Sequence, residues 1–197
     1  MWNFHEEAGR GPPATGRTVA MIADIGPIRQ VAFLTRDLDA SIRFYCDIGV
    51  GPWFRGDRAL FDRLEYRGAA AAPDLRYAVA PWHGLQLELI EPVGAGPSVV
   101  HEWAGRPFTG QLQHHVAVWP EHVDACIAAA QGAGFEVVQD GATGAGRFLY
   151  LLHPANPDFF LEITHATPER QAFSRHVFAC GRGWDGSRPV RPYGVIE

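Results

Sequence analysis

The sequence predicts an α+β fold in which two similar halves pair to form a curved mixed sheet around a cleft. The chain has 197 residues, enough for one large core or for two small modules that share one. The order of a strand, a helix and then several strands occurs twice along it. The strand-like IRQVAFLT (28–35) has a counterpart in LQHHVAVW (112–119), and aligning Gln30 with His115 sets the two halves 85 residues apart.

Composition narrows the possible partners. Apolar residues make up 47% of the chain and charged residues 20%, which is typical of a soluble globular protein. The net charge of −5 disfavours nucleic-acid binding. All 17 cationic residues are arginine, so lysine-based Schiff-base chemistry is excluded. No apolar run is long enough to span a membrane, and three scattered cysteines without a CxxC pair favour a cytoplasmic location.

The first half begins after an N-terminal arm, residues 1–26, which is polar and rich in glycine and proline. The first module is predicted over residues 27–94. After the strand IRQVAFLT, the stretch DLDASIRFYCDI (37–48) has apolar residues at helical spacing and either Asp37 or Asp39 as its cap. The remaining strand candidates of this half are WFRG (53–56), ALFDRLEYRG (59–68), DLRYAVAPW (74–82) and LQLELIEP (85–92).

The second half repeats this order. Residues 95–110 are predicted to form a connecting helix and linker, and residues 111–165 a second module. The second module has the strand LQHHVAVW and the helix EHVDACIAAAQGAG (121–134), which its glycines end. Its further strands are FEVVQDG (135–141), GRFLYLLHP (146–154) and DFFLEITH (158–165). The C-terminal extension, residues 166–197, has no predicted place in the sheet.

Glutamates occupy corresponding places in the last strand of each half. Glu88 and Glu162 are each flanked by apolar residues, where a carboxylate is costly unless it is paired, hydrogen-bonded or bound to a metal. An outward-facing glutamate on a half-exposed strand is the alternative. If the halves pair, Gln30, Glu88, His115 and Glu162 converge. Their oxygen and nitrogen donors suit a divalent ion such as Zn²⁺, Ni²⁺, Co²⁺ or Mn²⁺.

These segments together resemble a known superfamily. VAFLTRDLDASIRFYCDIGVGPWF (31–54), LELIEP (87–92), LQHHVAVW and FFLEIT (159–164) are similar to the vicinal oxygen chelate superfamily, which contains glyoxalases, bleomycin resistance proteins and dioxygenases. The likeness covers about residues 27–165 and is greatest for the methylmalonyl-CoA epimerase and glyoxalase I branch. It implies two paired βαβββ modules around one divalent metal.

The resemblance also implies which residues bind that metal. The ligands of the superfamily come from the first and last strands of each module, which here carry Gln30, Glu88, His115 and Glu162. A Gln/Glu/His/Glu set resembles the glyoxalase I pattern, whereas the epimerases more usually have His at the first position and Gln at the second. The chain therefore keeps the epimerase layout but departs from the epimerase ligand set.

The adjacent histidines of the second repeat require a choice. In a strand, neighbouring side chains point to opposite faces, so His115 shares a face with Ala117 and Trp119 and corresponds to Gln30. We therefore expect His115 to be the ligand and His114 to be packed or hydrogen-bonded. Two further residues carry an open choice: Trp53 either lines the cleft or is buried, and Arg147 either meets an anionic substrate group or is simply exposed.

The predicted function follows from the ligand set and the resemblance. A divalent ion with two carboxylates suits an isomerase, epimerase or lyase that moves a proton next to a metal-polarised carbonyl through an enediolate, with Glu88 or Glu162 as the base. The alternatives are a non-catalytic binding or resistance protein of the same fold and, less favoured because only one histidine is available, a ring-cleaving dioxygenase. The expected substrate is a small carbonyl compound or thioester, and the expected assembly is a homodimer.

Overall fold

A computed structural model of the protein describes residues 25–196. Nearly all of the predicted N-terminal arm, residues 1–26, lies outside the described residues. The first half comprises β1 (Ile28–Thr35), α1 (Leu38–Asp47), β2 (Trp53–Gly56), β3 (Arg63–Tyr66), β4 (Ala69–Ala70), β5 (Asp74–Trp82) and β6 (Leu85–Val93). The rest comprises α2 (Val99–Ala104), β7 (Gln111–Val118), α3 (Val123–Gly132), β8 (Glu136–Thr143), β9 (Gly146–His153), β10 (Asn156–Thr164), α4 (Pro168–Gly181) and β11 (Val190–Pro192).

The described strands form one curved, unclosed mixed sheet in the order β11-β2-β5-β6-β1-β7-β10-β9-β8-β3-β4. One βαβββ module consists of β1, α1, β2, β5 and β6, and the other consists of β7, α3, β8, β9 and β10. They meet where β1 and β7 pair in antiparallel fashion at the centre of the sheet. Within each module the first strand is parallel to the last. The predicted fold class is thereby confirmed.

Helix α1 shows how local sequence determines an element. The side chain of Asp37 accepts a hydrogen bond from the backbone N–H of Ala40 at 2.8 Å, which satisfies one of the free donors of the first turn. Ile42 and Tyr45 are buried on the face that packs against the sheet. Of the two caps considered, Asp37 is therefore the one used.

The hairpin of β3 and β4 departs from the sequence prediction. The segment ALFDRLEYRG was predicted as a strand of the first half, but β3 pairs with β8 at the far edge of the second module. Leu64 is buried against Phe148 there, and Arg63 forms an ion pair with Asp140 at 2.7 Å. The chain between β2 and β3 consequently crosses from one outer part of the sheet to the other, and its residues 58–61 line the cleft.

The C-terminal extension contains two elements that the sequence did not reveal. Thr167 caps α4 by accepting a hydrogen bond from the N–H of Arg170 at 3.2 Å, and Pro168 occupies the first turn. Phe173 and Val177 pack with Phe54 of β2, and β11 pairs in parallel with the same strand. No helix among residues 25–196 combines the length and apolar character needed to cross a membrane. The domain boundaries given above stay predictions.

Candidate metal centre

The four predicted ligand positions lie on the four central strands of the sheet. Glu88 is on β6, Gln30 on β1, His115 on β7 and Glu162 on β10, and these strands are neighbours in that order. Because the modules meet through β1 and β7, the structure brings all four side chains to the middle of the sheet.

Two alanines keep space between these side chains. Ala32 pairs in register with Glu88 on one side and with His115 on the other. Ala117 occupies the corresponding place in the second module, with Gln30 and Glu162 as its neighbours. Both alanines are fully buried, and their small side chains let the four longer ones converge.

A bulge in β7 breaks the alternation on which the sequence prediction relied. Ala32 pairs with His115, but the next residue of β1, Phe33, pairs with Gln113, so His114 is the extra residue. Both histidines are fully buried. Their Nδ1 atoms lie 2.8 Å apart, so the two side chains do not point to opposite faces as expected.

The donor atoms converge on Nε2 of His115. This atom lies 2.6 Å from Oε2 of Glu162, 3.4 Å from Oε2 of Glu88 and 3.5 Å from Oε1 of Gln30. One donor atom from each of the two glutamates and the histidine lies within 4.8 Å of the others. One imidazole nitrogen, two carboxylates and an amide oxygen make a donor set that fits a first-row divalent ion.

Neighbouring groups orient these donors. Nε2 of Gln30 donates to Oε1 of Gln86 at 2.8 Å, which leaves Oε1 of Gln30 facing His115. The hydroxyl of Thr164 donates to Oε1 of Glu162, so Oε2 is the oxygen that faces His115. Gln86 and Thr164 were not predicted as site residues from the sequence. Each lies two residues from a predicted glutamate ligand on the same strand, and hence on the same face of the sheet.

The histidine pair can fix the orientation of the predicted ligand. If Nε2 of His115 uses its lone pair for a metal, its Nδ1 carries the proton and donates to Nδ1 of His114. Burial and the neighbouring His115 hold the pKa of His114 well below its usual value, so His114 is a neutral acceptor. Its ring packs among Trp103, Tyr150 and Phe160.

The two glutamates differ in their electrostatic setting. Burial raises the pKa of Glu88 to about 7, against the opposing effect of His115. Burial alone would also raise the pKa of Glu162, but His115 and the Thr164 hydroxyl hold it below its ordinary value. Burial disfavours the charged form of His115, yet the two carboxylates raise its pKa overall. Glu162 is thus the firmly ionised member of the cluster.

A cavity of about 520 Å³ lies beside this cluster. Glu88 and Glu162 form part of its wall, so these two carboxylates are accessible to a small molecule. A smaller space of about 60 Å³ borders the same glutamates and Gln30. The apolar part of the larger wall comes mainly from Phe61, Leu75, Ile90, Val100 and Phe148. An apolar cavity with a few convergent polar groups is typical of a ligand site.

The open choices at Trp53 and Arg147 are decided by their contacts. Trp53 is fully buried and its indole N–H donates to the carbonyl of Val50 at 3.0 Å, so it belongs to the core. Arg147 forms ion pairs with Asp140 at 2.7 Å and Asp124 at 3.2 Å, outside the cavity wall. The cavity instead receives Arg170, which no pattern in the sequence singled out because it comes from the C-terminal extension.

Comparison with known proteins supports the resemblance. A family model described as the Glyoxalase/Bleomycin resistance protein/Dioxygenase superfamily matches residues 29–150. A solved structure of a hypothetical protein from Bacillus halodurans is 14% identical, with a TM-score of 0.51 and coverage of 72% of this chain and 94% of that one. At that identity the likeness concerns the fold alone. A search of curated proteins found no match.

Methylmalonyl-CoA epimerases are also among the solved structures that match. The enzyme from Mycobacterium tuberculosis is 19% identical, with a TM-score of 0.49 and coverage of 74% of this chain and 91% of that one. A Streptomyces coelicolor epimerase in complex with 2-nitronate-propionyl-CoA is 22% identical, with a TM-score of 0.47 and coverage of 71% and 96%. On the match of the family model over most of both modules, the chain belongs to the glyoxalase, bleomycin resistance protein and dioxygenase superfamily.

Proposed function

We propose that the protein is a metal-dependent isomerase, epimerase or lyase that transfers a proton at a carbon next to a carbonyl group. The observation that carries this proposal is the convergence of Gln30, Glu88 and Glu162 on Nε2 of His115, beside a cavity large enough for a small molecule. Two buried carboxylates beside one imidazole carry an excess of negative charge, which a bound divalent cation would neutralise.

The two carboxylates, the imidazole and the amide oxygen would together hold the ion. When bound, a divalent ion would act as a Lewis acid on a substrate carbonyl and make the neighbouring C–H more acidic. The metal stays unspecified among Zn²⁺, Ni²⁺, Co²⁺ and Mn²⁺, because oxygen and nitrogen donors suit all four.

The surroundings of the two glutamates support different roles for them. Glu162 is held by His115 and Thr164, and 9% of its side chain is exposed. Glu88 contacts His115 at the longer distance of 3.4 Å, and 17% of its side chain is exposed. A general base has to leave its resting contacts and reach the substrate proton, so we assign the base to Glu88 and an anchoring ligand role to Glu162.

The pKa of Glu88, raised to about 7, agrees with this assignment, since a base that works near neutral pH transfers protons most efficiently with a pKa close to the ambient pH. The apolar wall of Leu75, Ile90 and Phe148 would exclude water from the reacting carbon. Candidate substrates are small carbonyl compounds and thioesters, which offer the oxygen that a metal would polarise.

Solvent deuterium tests this function. Protein loaded separately with each of the four metals would be incubated under argon in D₂O with α-keto thiohemiacetals, acyl-CoA thioesters and cyclic ketones. We expect deuterium to enter the carbon next to the carbonyl of one class, and to stop entering it when the metal is removed. Turnover that requires O₂ would support a dioxygenase instead. Tight binding of a compound without exchange would support the non-catalytic binding protein, which the apolar cavity also suits.

A further inference from the structure

The first turn of α4 delivers an arginine to the cavity. The side chain of Arg170 lines both the 520 Å³ cavity and the smaller space that borders Gln30, Glu88 and Glu162. Its position is fixed by the Thr167 cap and by the burial of Phe173 and Val177 further along the helix. The C-terminal extension therefore contributes a cation to a site whose other charged groups come from the two modules.

Arg170 differs from the other arginines that line this cavity. Arg55 forms ion pairs with Asp39 and Asp57, and Arg58 faces Asp74 at 3.7 Å. Within residues 25–196, Nε of Arg170 is buried without a hydrogen-bond partner, and its guanidinium forms no ion pair with a carboxylate, although its charge acts to lower the pKa of the nearby Glu88 and Glu162 against the raising effect of their burial. A buried guanidinium donor without a partner is costly, which indicates that it has a partner in the working protein.

The charge balance of the site indicates what that partner is. Glu88 and Glu162 together carry two negative charges, which a divalent ion would neutralise. The charge of Arg170 would then remain, and a single negative charge on the ligand would balance it. The planar guanidinium matches a carboxylate in geometry, since two parallel N–H groups can donate to its two oxygens. A phosphate dianion would leave excess negative charge beside the two glutamates.

We propose that Arg170 is the anion-binding residue of the cavity and selects a substrate that carries a carboxylate on a compact apolar body. The apolar body would lie against Phe61, Leu75, Ile90 and Phe148. This inference rests on the proposed function in so far as the bound molecule is a substrate. The binding of its carboxylate to Arg170 does not depend on catalysis.

Binding of matched probes tests the proposal. Phenylacetate, its neutral isostere phenylacetamide and phenyl phosphate would be titrated calorimetrically into Zn²⁺-treated and EDTA-treated protein. We expect Zn²⁺-treated wild-type protein to prefer phenylacetate to the amide by roughly 10- to 100-fold, the worth of a charge-assisted hydrogen bond. Arg170→Gln should lose this preference. Arg170→Lys should keep part of it, because lysine retains the charge but not the planar fork.

Arg175→Gln is the matched control, because Arg175 is an exposed arginine on the same helix. It should keep the full preference, and circular dichroism would verify that every variant is folded. Equal preference in wild type and Arg170→Gln, no preference in wild type, or tighter binding of phenyl phosphate would overturn the proposal. If the protein binds none of Zn²⁺, Ni²⁺, Co²⁺ and Mn²⁺, the proposed function fails. The EDTA-treated samples then decide on Arg170 by the same comparison, with a smaller preference expected because no metal offsets the carboxylate charge of the cluster.

Discussion

The Nδ1 atoms of His114 and His115 lie 2.8 Å apart, so one imidazole donates a hydrogen bond to the other. This contact exists because the bulge at His114 turns two neighbouring side chains toward each other. Metal-binding histidines are usually oriented by a hydrogen bond from their second ring nitrogen. In this protein His114 is placed to accept that bond from the predicted ligand.

Replacement of His114 by phenylalanine separates packing from hydrogen bonding. The ring should still pack among Trp103, Tyr150 and Phe160, but the acceptor for Nδ1–H of His115 is lost. We expect metal affinity to fall by roughly 10- to 100-fold, as measured by competition with a chelator. The exposed His122, replaced by alanine, serves as a control that should leave affinity unchanged. Unaltered affinity in His114→Phe would mean that His114 only packs.

Exchange of each glutamate for glutamine tests the division of roles. Glu88→Gln should weaken metal affinity less than Glu162→Gln does, but the metal-loaded variant should lose deuterium exchange by roughly 10²- to 10⁴-fold, because the change removes the proposed base. Glu162→Gln should lower metal affinity itself, since Glu162 is the closer carboxylate to His115. The exposed Glu136 provides a matched control as Glu136→Gln. If Glu162→Gln retains metal and loses exchange while Glu88→Gln is active, the two assignments are reversed.

Protons should compete with the metal. Because the pKa of Glu88 in the metal-free protein is raised to about 7, this carboxyl binds a proton below pH 7 that the metal has to displace. The raised pKa of His115 acts in the same direction. We expect metal affinity to rise with pH, by up to roughly tenfold per pH unit for each of the two groups that has to lose its proton, and to level off once both are deprotonated. Titrations between pH 5.5 and 8 measure this, and an affinity that does not change over that range would contradict the account.

The cap of α4 should matter for the cavity as well as for stability. Thr167→Ala removes the hydrogen bond that the N–H of Arg170 donates and the one that the Thr167 hydroxyl donates to the carbonyl of Ala145, and should lower the free energy of unfolding by about 1–2 kcal/mol. Asp37→Ala removes the equivalent cap of α1 and should cost a similar amount. Only the change at Thr167 should weaken binding of phenylacetate. Urea unfolding measures the stability of the two variants, and calorimetry measures their binding of phenylacetate. Equal binding in both would show that the cap does not determine the position of Arg170.

Hydrophobic alternation and capping predicted most of the two modules. The strand predicted over IRQVAFLT coincides with β1, and the helix predicted after it begins directly behind its cap Asp37. These features depend on residues close together in the chain, so the sequence is sufficient for them. The correspondence of Gln30 with His115 likewise reflects a repeated local pattern.

Features that depend on contacts between residues far apart in the chain could not be predicted from the sequence. The bulge at His114 arises from the pairing of β7 with β1 and has no local signature. The sequence of the β3–β4 hairpin predicts an ordinary strand of the first half. Only the pairing of β3 with β8 shows that the hairpin belongs to the sheet of the second half. Arg170 lies in a tail without strong periodicity, so its entry into the cavity follows only from the packing of α4. The homodimer and the cytoplasmic location stay predictions.

The stoichiometry of metal binding tests the central claim most directly. Metal-free protein would be reconstituted with Zn²⁺, Ni²⁺, Co²⁺ and Mn²⁺ in turn, desalted and analysed by inductively coupled plasma mass spectrometry. The account predicts one ion per chain in the wild type for at least one of these metals, and none in His115→Ala, whose Nε2 is the point on which the other donors converge. Wild-type protein that retains none of the four metals, or His115→Ala protein that retains one ion per chain, would contradict it.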